Sequence, residues 1–326
     1  MAKCIKQASG KNWTAYEGDC VEVLQGLPDN SVGMSIDSPP FKGLYIYSDS
    51  ERDMGNCKTD DEFMEHYKFA IKETYRVTAP GRITAIHCKD LPAYAHRDGY
   101  AGLKDFPGEI IKAHEDAGWS YHSRITIWKC PVVERERTNN NGLLHKTVLR
   151  DRAQLRQGMA DYLVIMRKTP DTGLMSDVPV KGKHGFESYR GIDECDPRRQ
   201  GSFHPSNFAR KKVAHDDSIN IWRRYAEPVW WDINQRNVLN NKIARDNKDE
   251  KHICPLQLDV IARAVQIWSN PGDVILSKFA GIGSEGYETV KAGRKAVAIE
   301  LKPAYFKQLC KNLTIADSEL NEDQLF

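Results

Sequence analysis

One stretch near the C-terminal end constrains the fold more than any other. Asp273–Leu276 reads as a short strand, Phe279-Ala280-Gly281-Ile282-Gly283-Ser284 as a glycine loop, Ser284–Ala292 as a helix, and Lys295–Glu300 as a second strand. A strand that turns through G-x-G into a helix and returns as a strand is a βαβ unit, which commits the chain to a layered α/β fold. The glycines let backbone approach a ligand closely, and the helix N-terminus favours an anionic group such as a carboxylate. Glu300, about 17 residues beyond Gly283, ends the second strand where an acid can bind two ribose hydroxyls. Phe279, Ala280, Gly281, Gly283, Ser284 and Glu300 are therefore candidate contacts for an adenosine-type cofactor.

At 326 residues and 40% hydrophobic composition, the chain can bury a full α/β core and still carry a smaller module. No apolar run approaches the length of a membrane span, and Met1–Gln7 lacks the apolar core of a signal peptide, so a soluble, cytoplasmic protein is expected. The 8 cysteines are scattered singly, without a C-x-x-C pair or histidines at zinc-finger spacing, and no metal site is expected.

Val32–Asp37 is an apolar run that halts at two prolines, as a buried strand would. Asp60–Val77 carries Phe63, Tyr67, Ala70, Ile71 and Tyr75 at helical spacing, with acids in its first turn. Pro80-Gly81 stops that helix, Arg82–His87 reads as a strand, Phe106–Ala117 as a helix, and Ser123–Trp128 and Tyr162–Met166 as strands. From about Thr169 to Arg224 the chain is rich in Gly, Pro, Asp, His and Arg, with little periodicity. The α/β rhythm then returns with helix Leu256–Trp268 and, after Glu300, helix Pro303–Asn312. Two α/β blocks interrupted by a basic, irregular module is the simplest architecture.

Ser38-Pro39-Pro40-Phe41 follows the first of these strands. Two prolines fix the backbone and leave carbonyls without neighbouring N–H donors. An amino group bound there could donate to the Ser38 hydroxyl and the Pro39 carbonyl, which would draw its nitrogen lone pair out of conjugation and aim it at a methyl donor. Phe41 could stack on an aromatic base. Asp37 is a second available acceptor, and Ser38 is preferred for its place directly before the prolines.

Together these segments resemble the β group of DNA amino-methyltransferases, which methylate cytosine N4 or adenine N6. The reactive tetrapeptide of that family, Asp, Asn or Ser followed by Pro-Pro and Tyr or Phe, matches Ser38–Phe41. Its F-x-G-x-G loop matches Phe279, Gly281 and Gly283, and the tetrapeptide stands upstream of the cofactor loop as in the β group. Further likeness lies in Glu17–Cys20, Leu27–Ser31, Tyr75–Val77, Pro80–Arg82, Ile127–Lys129 and His252–Leu256. The resemblance implies a Rossmann-like, S-adenosylmethionine-dependent fold with a mixed, mostly parallel sheet and an inserted target-recognition region. It implies that Ser38, Pro39, Pro40 and Phe41 are catalytic. Phe279–Ser284 would hold the methionine part of the cofactor, Glu300 its ribose, and Asp19 its adenine end. Residues 1–168 would be the catalytic half, 169–224 the target-recognition insertion, 225–316 the cofactor half and 317–326 an acidic tail.

One departure stands out. The family carries Asp-Pro before the loop phenylalanine, whereas this chain has Ser277-Lys278. The usual acid would neutralise the ammonium of the cofactor, so the change would weaken its binding unless Glu285 substitutes. Serine in the first tetrapeptide position favours cytosine N4 over adenine N6.

The net charge is only +2, but basic residues crowd the span from Arg135 to Arg224, where duplex DNA is the expected partner. The target base would be flipped from the duplex. At least two of Trp222, Tyr225, Trp230 and Trp231 belong to the core, and His87, Lys89 and Asp90 are read as structural. A homodimer is compatible with the sequence. A solitary modification enzyme of a phage or mobile element, protecting DNA from restriction, is the biological reading. The competing readings are an RNA or protein-glutamine methyltransferase, a nicotinamide-dependent dehydrogenase, and a non-catalytic DNA-binding relative.

Overall fold

Residues 3–40, 53–138, 149, 151–170, 225–239 and 255–323 are described by the structure, a computed structural model. Their strands are β1 (Lys6–Ser9), β2 (Trp13–Glu17), β3 (Val32–Asp37), β4 (Thr78–Lys89), β5 (Leu91–Ala93), β6 (Gly102–Lys104), β7 (Trp119–Ile127), β8 (Asp161–Lys168), β9 (Val229–Trp230), β10 (Val274–Ser277) and β11 (Lys295–Glu300). The helices are α1 (Cys20–Gln25), α2 (Asp60–Val77), α3 (Ala95–Asp98), α4 (Phe106–Asp116), α5 (Pro131–Thr138), α6 (Leu258–Trp268), α7 (Ser284–Lys291) and α8 (Pro303–Asp323).

Nine strands form one sheet in the order β1-β2-β11-β10-β3-β4-β8-β7-β9, while β5 and β6 make a separate antiparallel pair. β2, β11, β10, β3 and β4 are mutually parallel; β8 runs antiparallel to β4 and β7. This is the mixed, mostly parallel, Rossmann-like sheet expected from the sequence. Alternation along β8 shows how both faces are covered. Val164 and Met166 pack with Phe63, Tyr67 and Ile71 of α2 and Phe106 and Ile110 of α4, whereas Leu163 and Ile165 pack with Val260, Ile261 and Val265 of α6. Each such side chain, fully withdrawn from water, stabilises the fold by roughly 1.5–3 kcal/mol.

Local chemistry sets the element ends. Thr59 caps α2 by accepting from the backbone N–H of Glu62 at 3.1 Å, and the Glu62 carboxylate reaches back to the N–H of Lys58 at 2.7 Å. At the other end of α2, Arg76 donates to the carbonyls of Leu27 and Leu24 at 2.9 and 2.7 Å and pairs with Asp29. The Tyr75–Val77 and Leu27–Ser31 segments are thereby one structural unit that fixes the entry into β3.

Several boundaries differ from the sequence reading. β4 begins at Thr78 and runs through Pro80-Gly81, because the chain passes from helix straight into strand. α8 continues to Asp323, so the segment read as an acidic tail from 317 starts inside a packed helix. Asp317 is buried there and accepts from the N–H of Lys11, at 2.8 Å, and the Asn12 side chain, also at 2.8 Å. The two blocks also interleave: β2 from the N-terminal block borders β11, and β9 joins the opposite edge beside β7 rather than the cofactor half. Tyr225 and Trp230 are buried, whereas Trp231 is exposed. Of the middle module read as 169–224, residues 171–224 lie outside the described residues, as does Trp222.

Candidate active site

The parallel strands β2, β11, β10 and β3 are consecutive neighbours in the sheet, so their carboxyl ends line one edge. From β10 the chain crosses through α7 to β11 on one side; from β3 it crosses through α2 to β4 on the other. The crevice between β10 and β3 is thus the point where the strand order reverses, the place where open α/β sheets bind ligands. The glycine loop follows β10 and Ser38-Pro39-Pro40 follows β3, paired in the register Ile275↔Met34 and Leu276↔Ser35. Two motifs about 240 residues apart are brought side by side. Phe41 lies outside the described residues.

The glycine loop has the backbone its sequence requires. Gly281 and Gly283 have φ of 54° and 92°, in the left-handed region that favours glycine. A Cβ at Gly283 would stand 3.2 Å from Leu309 Cγ, so this residue also allows α8 to approach. At Gly281 the corresponding space is open. Asn312 of α8 donates to the carbonyl of Ile282 at 2.7 Å and braces the loop from behind. Glu300 accepts from the N–H of Gly281 and of Lys302, both at 2.8 Å. Burial pushes its carboxyl up to about 7. Glu285, in the first turn of α7, is buried, and burial with Asp37 and Glu300 nearby pushes it up to about 8. Ser277 Oγ is buried without a hydrogen-bond partner among the described residues. An open glycine loop, two carboxyls awaiting compensation and an orphaned hydroxyl fit a cationic, hydroxyl-rich cofactor.

Phe279 packs on Tyr67 with ring centroids 6.2 Å apart, and Ala280 and Ser284 are buried beside it. Asp19 follows β2 and caps α1, accepting from the N–H of Glu22 at 3.0 Å. Lys278 does not point at the cofactor crevice as a free charge. Its ammonium pairs with Asp37, and both side chains are fully buried. The sequence left Asp37 as a rival acceptor beside Ser38; this pairing occupies one of its oxygens, while Ser38 stays partly exposed.

The sequence reading treated His87 as structural, but the structure puts it against the reactive loop. Ser38 Oγ lies 2.8 Å from His87 Nδ1, and His87 Nε2 lies 3.1 Å from Asp161 Oδ2. Lys129 Nζ sits 2.7 Å from Asp161, and Lys89 bridges Glu134 at 2.8 Å and Asp161 at 4.0 Å. Burial opposes ionisation of Asp161, yet the hydrogen bond with His87 and the Lys129 and Lys89 ammoniums outweigh it and hold the carboxyl well below its usual range. The pairing Asp37↔Ile86 sets His87 level with Ser38, and Lys89↔Asp161 starts β8 at the same edge. The only sequence signal was that two strands ending beside each other would present their next residues together.

The family profile described as DNA methylase, of the N6/N4 type, matches residues 32–311. The chain belongs to this DNA methylase family. It is a β-group amino-methyltransferase by that membership, and its cofactor is S-adenosylmethionine. Type II methyltransferase M.BglI of Bacillus subtilis is 22% identical over 313 residues, covering 91% of this chain and 84% of its own. Type II methyltransferase M.SfiI of Streptomyces fimbriatus is 25% identical over 134 residues, and that match spans 38% of this chain and only 31% of M.SfiI. Among solved structures, the DNA modification methylase TTHA0409 of Thermus thermophilus, complexed with S-adenosyl-L-methionine, aligns with a TM-score of 0.58 at 18% identity, over 94% of this chain and 95% of its own. The cytosine-N4-specific PvuII DNA methyltransferase aligns with a TM-score of 0.52 at 14% identity, over 98% and 97%. At these identities the solved structures speak to the fold. Among the described residues no helix is long and apolar enough to cross a membrane.

Proposed function

We propose that this DNA methylase transfers the methyl group of S-adenosylmethionine to the exocyclic N4 of a cytosine flipped out of duplex DNA. The observation that carries the reading is the adjacency of the Ser38-Pro39-Pro40 loop and the Phe279–Ser284 loop at the carboxyl ends of neighbouring strands β3 and β10. The bound cofactor supplies an electrophilic methyl on sulfonium; the rest is positioning by this chain. Ser38 Oγ and the Pro39 carbonyl hold the amino group, leaving its lone pair free to face the methyl. Pro39 is buried and rigid, which fixes that carbonyl. Phe41 stacks on the base.

On the cofactor side, Phe279–Ser284 cradle the methionine end and Glu300 takes the ribose hydroxyls, with Asp19 towards the adenine. Glu285 takes the ammonium, replacing the acid that Ser277-Lys278 lacks. Asp37 is excluded from that role by Lys278. Serine before the prolines supports cytosine, and the basic segment about 169–224 would read the duplex. By analogy with Type II relatives, the biological role is modification of DNA against restriction.

The test is incubation with methyl-labelled S-adenosylmethionine and unmethylated genomic DNA, followed by nucleoside mass analysis. N4-methylcytosine is expected. N6-methyladenine would keep the chemistry and reverse the base; label in RNA or protein alone would overturn the DNA reading.

A further inference from the structure

We propose that His87, oriented by Asp161, is the acceptor for the proton that the target amino group must lose, and that it receives this proton through Ser38. The inference rests on the functional reading above and adds a relay of Ser38, His87 and Asp161 to it.

The tautomer follows from the neighbours. Asp161 is ionised beside Lys129 and can only accept, so the His87 nitrogen facing it at 3.1 Å, Nε2, must carry the hydrogen. In the neutral ring Nδ1 is then bare and accepts from the Ser38 hydroxyl at 2.8 Å. Ser38 in turn has its oxygen lone pairs available to the substrate N–H. Three elements hold this line: Ser38 directly follows β3, His87 lies in β4 and Asp161 opens β8. The other charged groups packed there are Lys89 of β4, Lys129 after β7 and Glu134 of α5. Two ammoniums and two carboxylates balance, so Asp161 remains a carboxylate whose partners leave it able to steady an imidazolium.

The balance of the step requires such an acceptor. The nitrogen lone pair forms the N–C bond as the C–S bond breaks, and the bonding electrons stay on sulfur. The nitrogen is left with four bonds and a positive charge, and it must shed one hydrogen as a proton. That proton passes to Ser38 Oγ as the serine proton passes to His87 Nδ1. The charge that began on sulfonium ends on imidazolium, paired with Asp161, and leaves later to water. No oxidant or further reactant is needed. His87 touches no substrate atom; it is a positioning residue that acts through Ser38.

Two measurements test the relay. In the free protein, 15N NMR of histidine-labelled material, with His87 assigned by difference from His87→Asn, reads the tautomer without any catalysis. A protonated Nε2 and a bare Nδ1 are expected; a protonated Nδ1 in the neutral ring would overturn the relay. In single-turnover methylation of DNA, the wild-type rate is expected to fall on the acid side as His87 is protonated. His87→Asn is expected to lose that limb and about a hundredfold in rate, while its affinity for S-adenosylmethionine stays within about twofold because the cofactor loop lies on another strand. Wild-type rate and pH profile in His87→Asn would sink the relay alone. A wild-type protein that binds cofactor yet methylates no DNA would sink the functional reading with it. Should His87→Asn fail to fold, the tautomer decides.

Discussion

Lys278 and Asp37, 241 residues apart in the sequence, form an ion pair in which both side chains are withdrawn from water completely. The pair ties the residue before the glycine loop to the residue before Ser38, so it fixes the spacing of the two halves of the site. It also explains how a lysine is tolerated where related enzymes carry an acid: its charge is spent on the neighbouring strand.

Breaking this pair from one side leaves a buried charge uncompensated. Lys278→Met is expected to lower stability by about 3–5 kcal/mol in chemical denaturation. Lys278→Met combined with Asp37→Asn should recover part of that loss, since no bare charge remains. Equal stability of wild type and Lys278→Met would mean that the pair does not hold the site.

The two glycines of the cofactor loop should separate stability from binding. Gly283→Ala meets Leu309 Cγ at 3.2 Å and Leu309 Cα at 3.4 Å, at a φ of 92°. It is expected to lower the melting temperature. Gly281→Ala meets nothing within 4 Å, at a φ of 54°. It costs about 1–2 kcal/mol of backbone strain, and its methyl enters the open face of the loop. Its expected signature is a loss of S-adenosylmethionine affinity larger than its loss of stability, read by calorimetry beside thermal unfolding.

Glu300 and Glu285 give the free protein a pH dependence opposite to the usual carboxylate case. Burial raises Glu300 to about 7 and Glu285 to about 8 from an ordinary 4.5, so the folded state binds more protons than the unfolded state between those limits. Stability contributed by the protonated forms is present below about 4.5 and is lost as pH rises through about 7 and 8. Denaturation midpoints are expected to fall between pH 6 and pH 9, less so in Glu285→Gln. A cation bound at Glu285 favours its ionised form, so S-adenosylmethionine binding near neutral pH should release protons, measured by calorimetry in buffers of different ionisation enthalpy.

The helix that reaches Asp323 makes a simpler prediction. Asp317→Ala leaves the N–H of Lys11 and the Asn12 amide without their acceptor and is expected to cost about 1–3 kcal/mol. An unchanged denaturation midpoint would return this segment to the status of a tail.

What was legible in the sequence were the elements whose own residues decide them. β3 at Val32–Asp37, α2 at Asp60–Val77 and β11 at Lys295–Glu300 were read to the residue, because an apolar run or stripe is bounded there by prolines, capping groups or glycine. Both loops were recognisable for the same reason. β1 was not, since Lys6–Ser9 is an outer strand with mostly exposed side chains and no apolar alternation. β9 has two residues and exists only because β7 offers it a partner. The tail misreading came from composition: acids near Asp317 look solvated until the turn at Lys11 and Asn12 supplies their donors. His87 was visible but unread, because its role depends on the register of β4 against β3 and on Asp161, 74 residues away.

The central claim is that Ser38 and the glycine loop form one site for methyl transfer to an amino group in DNA. The most direct measurement is single-turnover transfer from labelled S-adenosylmethionine to unmethylated DNA by Ser38→Ala, with cofactor affinity measured on the same material. The account predicts a rate at least about a hundredfold below wild type with cofactor affinity unchanged. A Ser38→Ala protein that methylates DNA at the wild-type rate would contradict it.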